Sequence, residues 1–79
     1  MWHVYIVKGS EGCLYTGIAN NLENRIKQYN RGCGCKFTKP RIPVTLVYCK
    51  WRSSRGRALT REAAIKRLTR NEKLELIGK

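Results

Sequence analysis

The chain contains 79 residues, with 17 lysines and arginines against five acidic residues, which gives a formal net charge of +12. This length allows a single domain, residues 1–79, with one modest core and no second domain. The sequence has no apolar run long enough to span a bilayer and no segment resembling a signal peptide, so we expect a soluble cytoplasmic protein. Its positive charge is typical of nucleic-acid binding rather than of action at a membrane.

A β-hairpin is predicted for the first two elements. Residues 2–8 are rich in β-branched and aromatic side chains, and the same pattern resumes at residues 13–16 after a glycine-bounded interruption. A three-residue loop that ends in Gly12 in the left-handed conformation would make Gly9 pair with Cys13. This choice of loop sets the register of the two strands.

The register decides whether two tyrosines of the hairpin share a face. With the three-residue loop, Tyr5 lies opposite Gly17 and becomes a diagonal neighbour of Tyr15, within reach of its ring. A two-residue loop would place the two rings on opposite faces, because side chains alternate along a strand. We therefore expect two phenol groups to lie together on one face of the sheet.

A helix follows the hairpin, and one flank of it carries a third tyrosine. Asn20 and Glu23 resemble a capping box, with Asn20 as the N-cap. Leu22, Arg25 and Tyr29 then lie on the same flank of the helix. Tyr29 has two interpretations, a site residue or a half-buried core aromatic, and Arg25 is either a site residue or a solvated surface residue. As site residues they would bring a phenol and a guanidinium to the patch formed by the hairpin tyrosines.

The segment from residue 32 to residue 43 is predicted to be a basic loop. It contains Lys36, Lys39 and Arg41, with Phe37 among them. Cations with an interleaved aromatic suit contact with a phosphate backbone and a stacked base. The alternative is a surface loop whose aromatic ring packs into the core. We assign the three cations to nucleic-acid binding.

The remaining elements are a strand and two helices. Residues 44–49 form a continuous apolar run, which predicts a third and central strand. A polar connection leads to the longest helix, over residues 57–70, whose apolar positions recur at helical spacing. Thr69 and Glu72 then form a capping box that begins a short final helix.

One acidic residue occupies an unexpected place in the longest helix. Glu62 falls near the middle of the stripe predicted to face the core, which comprises Ala58, Leu59, Ala63 and Ile65. An ionised carboxylate is rarely placed against a core unless something compensates its charge. The compensation is either a salt bridge with Arg25 or Lys66, or a divalent cation at the edge of a site.

The order of these residues resembles the GIY-YIG nuclease superfamily, and most of all its small bacterial single-domain members. The resemblance is carried first by Tyr5, Tyr15-Thr16-Gly17, Arg25 and Glu62. It extends to residues 21–25, 32–38, 46–48 and 65–68. The chain departs from the family pattern where His3 replaces a leading glycine, Thr16 replaces an isoleucine, and Tyr29 stands at a helix position where many members carry histidine.

The resemblance implies an α+β fold, a small three-stranded antiparallel sheet flanked by helices in the order ββαβαα. It also implies hydrolysis of nucleic-acid phosphodiester bonds with a single Mg²⁺ or Mn²⁺ ion. In that scheme Tyr5 and Tyr15 bind the attacking water or the phosphate, and one of them is the general base. Arg25 holds the scissile phosphate, Glu62 ligates the metal, and Tyr29 completes the catalytic set. We add Lys66 to the nucleic-acid-binding residues of the basic loop.

Two other functions fit the same sequence. One is a non-catalytic basic module that binds nucleic acid on the same scaffold, and the other is a basic subunit that binds a protein partner. The nuclease is favoured because all of the family's core residues are present and binding alone does not require an inward carboxylate. DNA is favoured over RNA as the substrate. Selectivity must be low, structural or supplied by a protein partner, because the chain carries no separate recognition domain.

Overall fold

A three-stranded antiparallel sheet with three helices forms the fold, in the order ββαβαα, as the resemblance implied. The computed structural model describes residues 2–10, 12–32 and 42–78. The elements are β1 (Trp2–Lys8), β2 (Leu14–Ala19), α1 (Leu22–Asn30), β3 (Thr45–Arg52), α2 (Arg55–Lys66) and α3 (Arg70–Ile77). None of these described helices has the length and apolar character needed to cross a membrane.

The hairpin has the register predicted from its turn residues. Gly12 adopts a φ of +80°, and the Gly9 amide donates to the Cys13 carbonyl at 2.8 Å. Tyr5 therefore lies opposite Gly17, and Tyr15 lies opposite Val7 two residues further along the first strand. Because side chains alternate between faces, this register places both tyrosines on the same side of the sheet.

The central strand is β1, and the prediction that the third strand is central was wrong. The sheet order is β2-β1-β3, so β3 lies at an edge. In β1 the four consecutive residues from Val4 to Val7 are all buried, which is the signature of a strand covered on both faces. In β3 Leu46 remains 39% exposed, and the strand continues beyond the apolar run to Arg52. An apolar run alone therefore did not identify the central strand.

The first helix begins one residue later than predicted. Its N-cap is Asn21 rather than Asn20, and the Asn21 Oδ1 accepts a hydrogen bond from the Asn24 amide at 3.1 Å. Two adjacent asparagines offer the same capping chemistry, so the sequence pattern did not distinguish them. At its other end, the Asn30 side chain accepts from the Val44 amide at 2.7 Å and donates to the Val44 carbonyl at 3.3 Å. These bonds anchor α1 to the segment that leads into β3.

The second helix is displaced from its predicted bounds, while the third is capped as predicted. Ser54 is the N-cap of α2 and accepts from the Arg57 amide at 3.2 Å, so the helix starts two residues earlier and ends at residue 66 rather than 70. Thr69 and Glu72 form a complete capping box at the start of α3. Arg67 is the C-cap of α2, and the extended conformation of Thr69 separates the two helices, so α2 does not continue to residue 70.

The helices cover opposite faces of the sheet. Tyr5 and Val7 of β1 pack with Tyr29 of α1, whereas Val4 and Ile6 pack on the other face. The partners on that second face are Ala58 and Ile65 of α2 and, less deeply, Leu76 and Ile77 of α3. The fold thus has two small cores separated by one sheet.

The stripe that α2 presents to the sheet is narrower than predicted. Ala58 and Ile65 are fully buried as expected. Leu59, 37% exposed, and Ala63, also exposed, face solvent, so their assignment to the core was wrong. Arg61, Glu62 and Ala64 are half-buried, so the fully buried part of the stripe is limited to two residues seven apart, which lie on one line along the helix.

Candidate active site

Three tyrosines from three different elements meet on the α1 face of the sheet. Tyr5 comes from β1, Tyr15 from β2 and Tyr29 from α1. The Tyr29 ring contacts both others edge to face, with ring centroids 6.3 Å from Tyr5 and 6.1 Å from Tyr15. Tyr5 and Tyr29 are fully buried, and their hydroxyl oxygens lie 2.6 Å apart in a hydrogen bond. Tyr15 is only partly buried, so it is the most solvent-accessible phenol of the three.

The guanidinium of Arg25 completes this cluster. Its Cζ lies 4.9 Å from the centroid of the Tyr29 ring, in the geometry of a cation–π contact. Its Nη1 donates to the Oε1 of Gln28 at 3.2 Å. Interaction with the Tyr5 hydroxyl raises the pKa of the Arg25 guanidinium, against the lowering effect of partial burial. A permanent positive charge is therefore held at a set orientation beside the three phenols.

Tyr29 belongs both to the core and to the cluster, so its two interpretations from the sequence are not exclusive. Burial raises the pKa of the Tyr29 hydroxyl far above its ordinary value of 10, and the hydrogen bond with Tyr5 raises it further. The nearby Arg25 charge opposes this shift only in part. Burial and the hydrogen bond with Tyr5 therefore favour the protonated form of the Tyr29 hydroxyl.

Gly17 allows Tyr5 to lie flat against the second strand. A Cβ atom at Gly17 would be 2.6 Å from the Tyr5 Oη and 2.8 Å from its Cζ, closer than such atoms approach in real structures. The side chain of Tyr5 thus occupies the space that any other residue at position 17 would fill. The close approach was not predicted from the sequence, although the pairing of Tyr5 with Gly17 was the signal for it.

A polar groove of about 290 Å³ opens beside the cluster. Arg25 lines it together with three asparagines and a glutamine, namely Asn20, Asn21, Asn24 and Gln28, and with Trp2, Ile18 and Ala19. These carboxamides are not among the site residues predicted from the sequence. Their signal was an unusual density of amide side chains around the start of α1. The groove gives a ligand direct access to the guanidinium.

Glu62 lies on a helix that covers the other face of the sheet. Its carboxylate forms an ion pair with Lys66 at 3.3 Å, and its side chain is 18% exposed. This is one of the two salt bridges that the sequence left open. Within residues 2–10, 12–32 and 42–78, no hydrogen bond or ion pair joins Glu62 to the tyrosine cluster, and no three His, Cys, Asp or Glu side chains are grouped to hold a metal.

The remaining predicted residues divide into two sets. Lys66 is exposed on α2 and engaged with Glu62. Lys36, Lys39, Arg41 and Phe37 lie outside the described residues. The described structure thus joins Tyr5, Tyr15, Tyr29 and Arg25 in one cluster and leaves the metal and phosphate-binding assignments as predictions.

The hydroxyl pair should show strong energetic coupling in unfolding experiments. Replacing either Tyr5 or Tyr29 by phenylalanine leaves one buried hydroxyl without its partner, which costs about 1–3 kcal/mol. The double variant removes both hydroxyls, so we expect it to be less destabilised than the sum of the single variants. Urea denaturation of the four proteins measures this coupling. Strictly additive effects would contradict the hydrogen bond.

The contribution of Tyr29 to stability should disappear only in alkali. Because its pKa is raised in the folded state, unfolding releases a proton once the pH exceeds about 10, the pKa of an unfolded tyrosine. The difference in unfolding free energy between wild type and Y29F should be constant through neutral pH and shrink above that value. The Y29F variant retains every lysine, so the difference isolates Tyr29. A difference that shrinks already near neutrality would contradict the raised pKa.

Comparison with known proteins identifies relatives along almost the whole chain. Residues 1–75 match the family model of the GIY-YIG catalytic domain. UPF0213 protein CPE1444 of Clostridium perfringens is 53% identical over 78 residues, covering 99% of this chain and 84% of the relative. A UPF0213 protein of Staphylococcus aureus is 51% identical over 74 residues, covering 94% of this chain and 90% of the relative.

A solved structure supports the same relationship. The solution NMR structure of UPF0213 protein BH0048 from Bacillus halodurans matches with a TM-score of 0.63 and 34% sequence identity. The match covers 99% of this chain and 84% of the other. Both the sequence and the arrangement of the backbone are therefore shared with this group of small proteins.

Proposed function

The chain belongs to the GIY-YIG family, and from that premise we propose that it is an endonuclease that hydrolyses phosphodiester bonds of nucleic acid, DNA in preference to RNA. The observation that carries the proposal is the cluster of three tyrosines with Arg25 beside an open polar groove. Phenols and a guanidinium suit a reaction in which a water attacks a phosphate and negative charge builds on its oxygens. The net charge of +12 supports a polyanionic substrate.

Arg25 binds the scissile phosphate in this proposal. A guanidinium can donate two parallel hydrogen bonds to phosphate oxygens, and these bonds strengthen as charge develops in the transition state. The contacts with Gln28 and the Tyr29 ring hold the group in place before the substrate arrives. Such preorganisation avoids reordering the side chain during the reaction.

Tyr15 is the phenol that we assign to the attacking water. It is partly exposed, whereas Tyr5 and Tyr29 are fully buried and bonded to each other. Tyr5 then serves to position Arg25 and the phosphate, and Tyr29 holds the Tyr5 hydroxyl in a single orientation. An ordinary tyrosine has a pKa of about 10, so a basic role for Tyr15 requires positive charge close to its oxygen.

Glu62 would hold the single Mg²⁺ or Mn²⁺ ion. A hard cation prefers oxygen ligands and retains several waters, so one carboxylate together with substrate oxygens is a chemically suitable donor set. The ion, when bound, would neutralise charge on the phosphate. The Lys66 side chain is 52% exposed, and pairs of this kind contribute only about 0–1 kcal/mol, so the carboxylate can exchange this partner at little cost. Lys66 would then be released toward the nucleic acid.

Cleavage of end-labelled DNA and RNA oligonucleotides with and without Mg²⁺ or Mn²⁺ tests the proposal. We expect metal-dependent cleavage by the wild type and a loss of about 10²-fold or more in E62Q, with oligonucleotide affinity retained. E75Q removes an exposed carboxylate from α3 and is the matched control. Unchanged cleavage by E62Q would remove Glu62 from the site.

A non-catalytic binding module on the same scaffold is the second candidate. One observation favours it: the carboxylate of Glu62 is engaged with Lys66 on a helix that covers the face opposite the tyrosines. This candidate predicts tight binding of oligonucleotides without cleavage under any metal condition. The same assay therefore separates the two functions.

A further inference from the structure

Two adjoining grooves lie on the face of the sheet opposite the tyrosine cluster. One has a volume of about 430 Å³ and runs between β3 and α3, and the other has a volume of about 400 Å³ and follows α2. Arg52 and Arg61 line both grooves. The first also includes Lys50, Tyr48, Val47, Cys49, Leu76 and Ile77, and the second Arg57, Thr60 and Ala64.

The grooves carry four cations, Lys50, Arg52, Arg57 and Arg61, and no carboxylate of the described residues lines either of them. Both ion pairs recorded between described residues use a lysine, so neither neutralises an arginine of the grooves. Four like charges in adjoining grooves repel one another unless an anionic ligand compensates them.

The hydrogen bonds of these arginines leave donors available. The Arg52 Nη1 donates to the Trp51 carbonyl at 2.7 Å, which satisfies one donor and leaves the charge in place. The Arg61 Nη2 makes only a long contact of 3.5 Å with the Tyr48 hydroxyl. The Arg61 Nε is buried and has no hydrogen-bond partner among the residues described. The contacts within the protein therefore use only part of the donor capacity of the Arg61 guanidinium.

The position of Arg57 adds an independent argument. It lies in the first turn of α2, which contains no acidic residue. A cation at the N-terminal end of a helix is unfavourable, because the helix dipole is positive there. The charge therefore does not serve the stability of the helix, and it adds to the attraction for an anion at this end of the groove.

We propose that these grooves bind the phosphodiester backbone of a nucleic-acid segment other than the one held at Arg25. None of the residues that line these two grooves also lines the groove at Arg25, so the phosphates bound in them are other than the phosphate held there. Arginines beside Tyr48 and the apolar wall of Leu76 suit a backbone whose sugars and bases accompany the phosphates. That this segment differs from the strand being cleaved rests on the proposed nuclease function, whereas binding in the grooves does not.

Fluorescence anisotropy of labelled single-stranded and duplex oligonucleotides, measured without divalent metal, tests the proposal. We expect R52Q/R57Q to lower the affinity by about tenfold or more at moderate salt and to reduce the salt slope by about 2, one unit for each phosphate contact. R67Q removes a charge from the other end of α2, outside both grooves, and should have a much smaller effect. R57Q should not lose stability, given its unfavourable place in the helix. An effect of R67Q as large as that of R57Q alone would overturn the proposal.

Amide chemical shifts locate the ligand directly. An uncleaved oligonucleotide should shift amides in two regions of the wild type, one around α1 and one around β3 and α2. In the R52Q/R57Q variant the shifts around β3 and α2 should vanish, and those around α1 should remain. Shifts confined to α1, or a polyglutamate peptide that occupies the grooves more tightly than either oligonucleotide, would overturn the proposal. These measurements need no catalysis. Binding in the grooves can therefore be absent while cleavage is retained, and cleavage can be absent while binding in the grooves is retained.

Discussion

Replacing Arg25 with alanine should lower cleavage by about 10²–10³-fold, the loss typical of removing one preorganised donor to a transition state. The fold should survive, since Arg25 is only partly buried and, among the described residues, its contacts with Gln28, the Tyr29 ring and the Tyr5 hydroxyl lie at the edge of the core. R25K should recover only a small part of the activity, because an ammonium keeps the charge without the two-pronged geometry of the guanidinium. Single-turnover cleavage of an end-labelled oligonucleotide measures both variants.

Lys27 provides the matched control on the same helix. It is exposed and pairs with Glu23 at 3.5 Å, an i,i+4 contact of little energetic weight. K27A should therefore cleave almost as well as the wild type, apart from a modest reduction in affinity. If R25A and K27A behave alike, the guanidinium acts only through general charge, and its assignment to the scissile phosphate is wrong.

Replacing Gly17 with alanine should damage both the fold and the site. The added methyl group would overlap the buried Tyr5 ring, which is held by the hydrogen bond with Tyr29 and cannot turn away without breaking it. Overpacking of this kind costs about 1–3 kcal/mol. In a domain of this size each kcal/mol lowers the melting temperature by about 4–8 °C. Thermal denaturation measures the loss of stability. We expect the cleavage rate to fall by more than the loss of folded protein explains, because Tyr5 is displaced.

Gly56 is the control for this change. It lies in α2 with open space around its Cα, so a methyl group meets nothing within 4 Å. G56A should be neutral or stabilising by up to about 1 kcal/mol, because alanine favours the helix. Equal melting temperatures for G17A and the wild type would show that Tyr5 does not occupy the place described.

Local chemistry was sufficient to predict the hairpin and its consequences. The loop ending in Gly12 sets the register, the register places Tyr5 opposite Gly17, and alternation then brings Tyr15 to the same face. The spacing of α1 similarly placed Arg25 and Tyr29 on one flank. Each of these inferences depends on residues close together in the chain, where turn geometry and helical periodicity leave few alternatives.

The predictions that failed depend on long-range contacts. The apolar run of residues 44–49 suits a central or an edge strand, and only pairing in three dimensions made β1 central. The stripe of α2 that was predicted to be buried was too wide, because the exposure of Leu59 depends on how far the sheet extends beneath the helix. The partner of Glu62 was left open by the sequence, and only the folded structure pairs its carboxylate with Lys66, one helical turn away; its role as a metal ligand stays a prediction.

The sequence by itself determined the family, the element order and the residues of the tyrosine cluster. Tertiary structure alone decided that Tyr5 and Tyr29 share a hydrogen bond at 2.6 Å, that Gly17 makes room for the first ring, and that α1 and α2 cover opposite faces of the sheet. The physical reason is that turn and helix geometry act over a few residues, whereas burial and side-chain contacts depend on which surfaces the whole chain brings together.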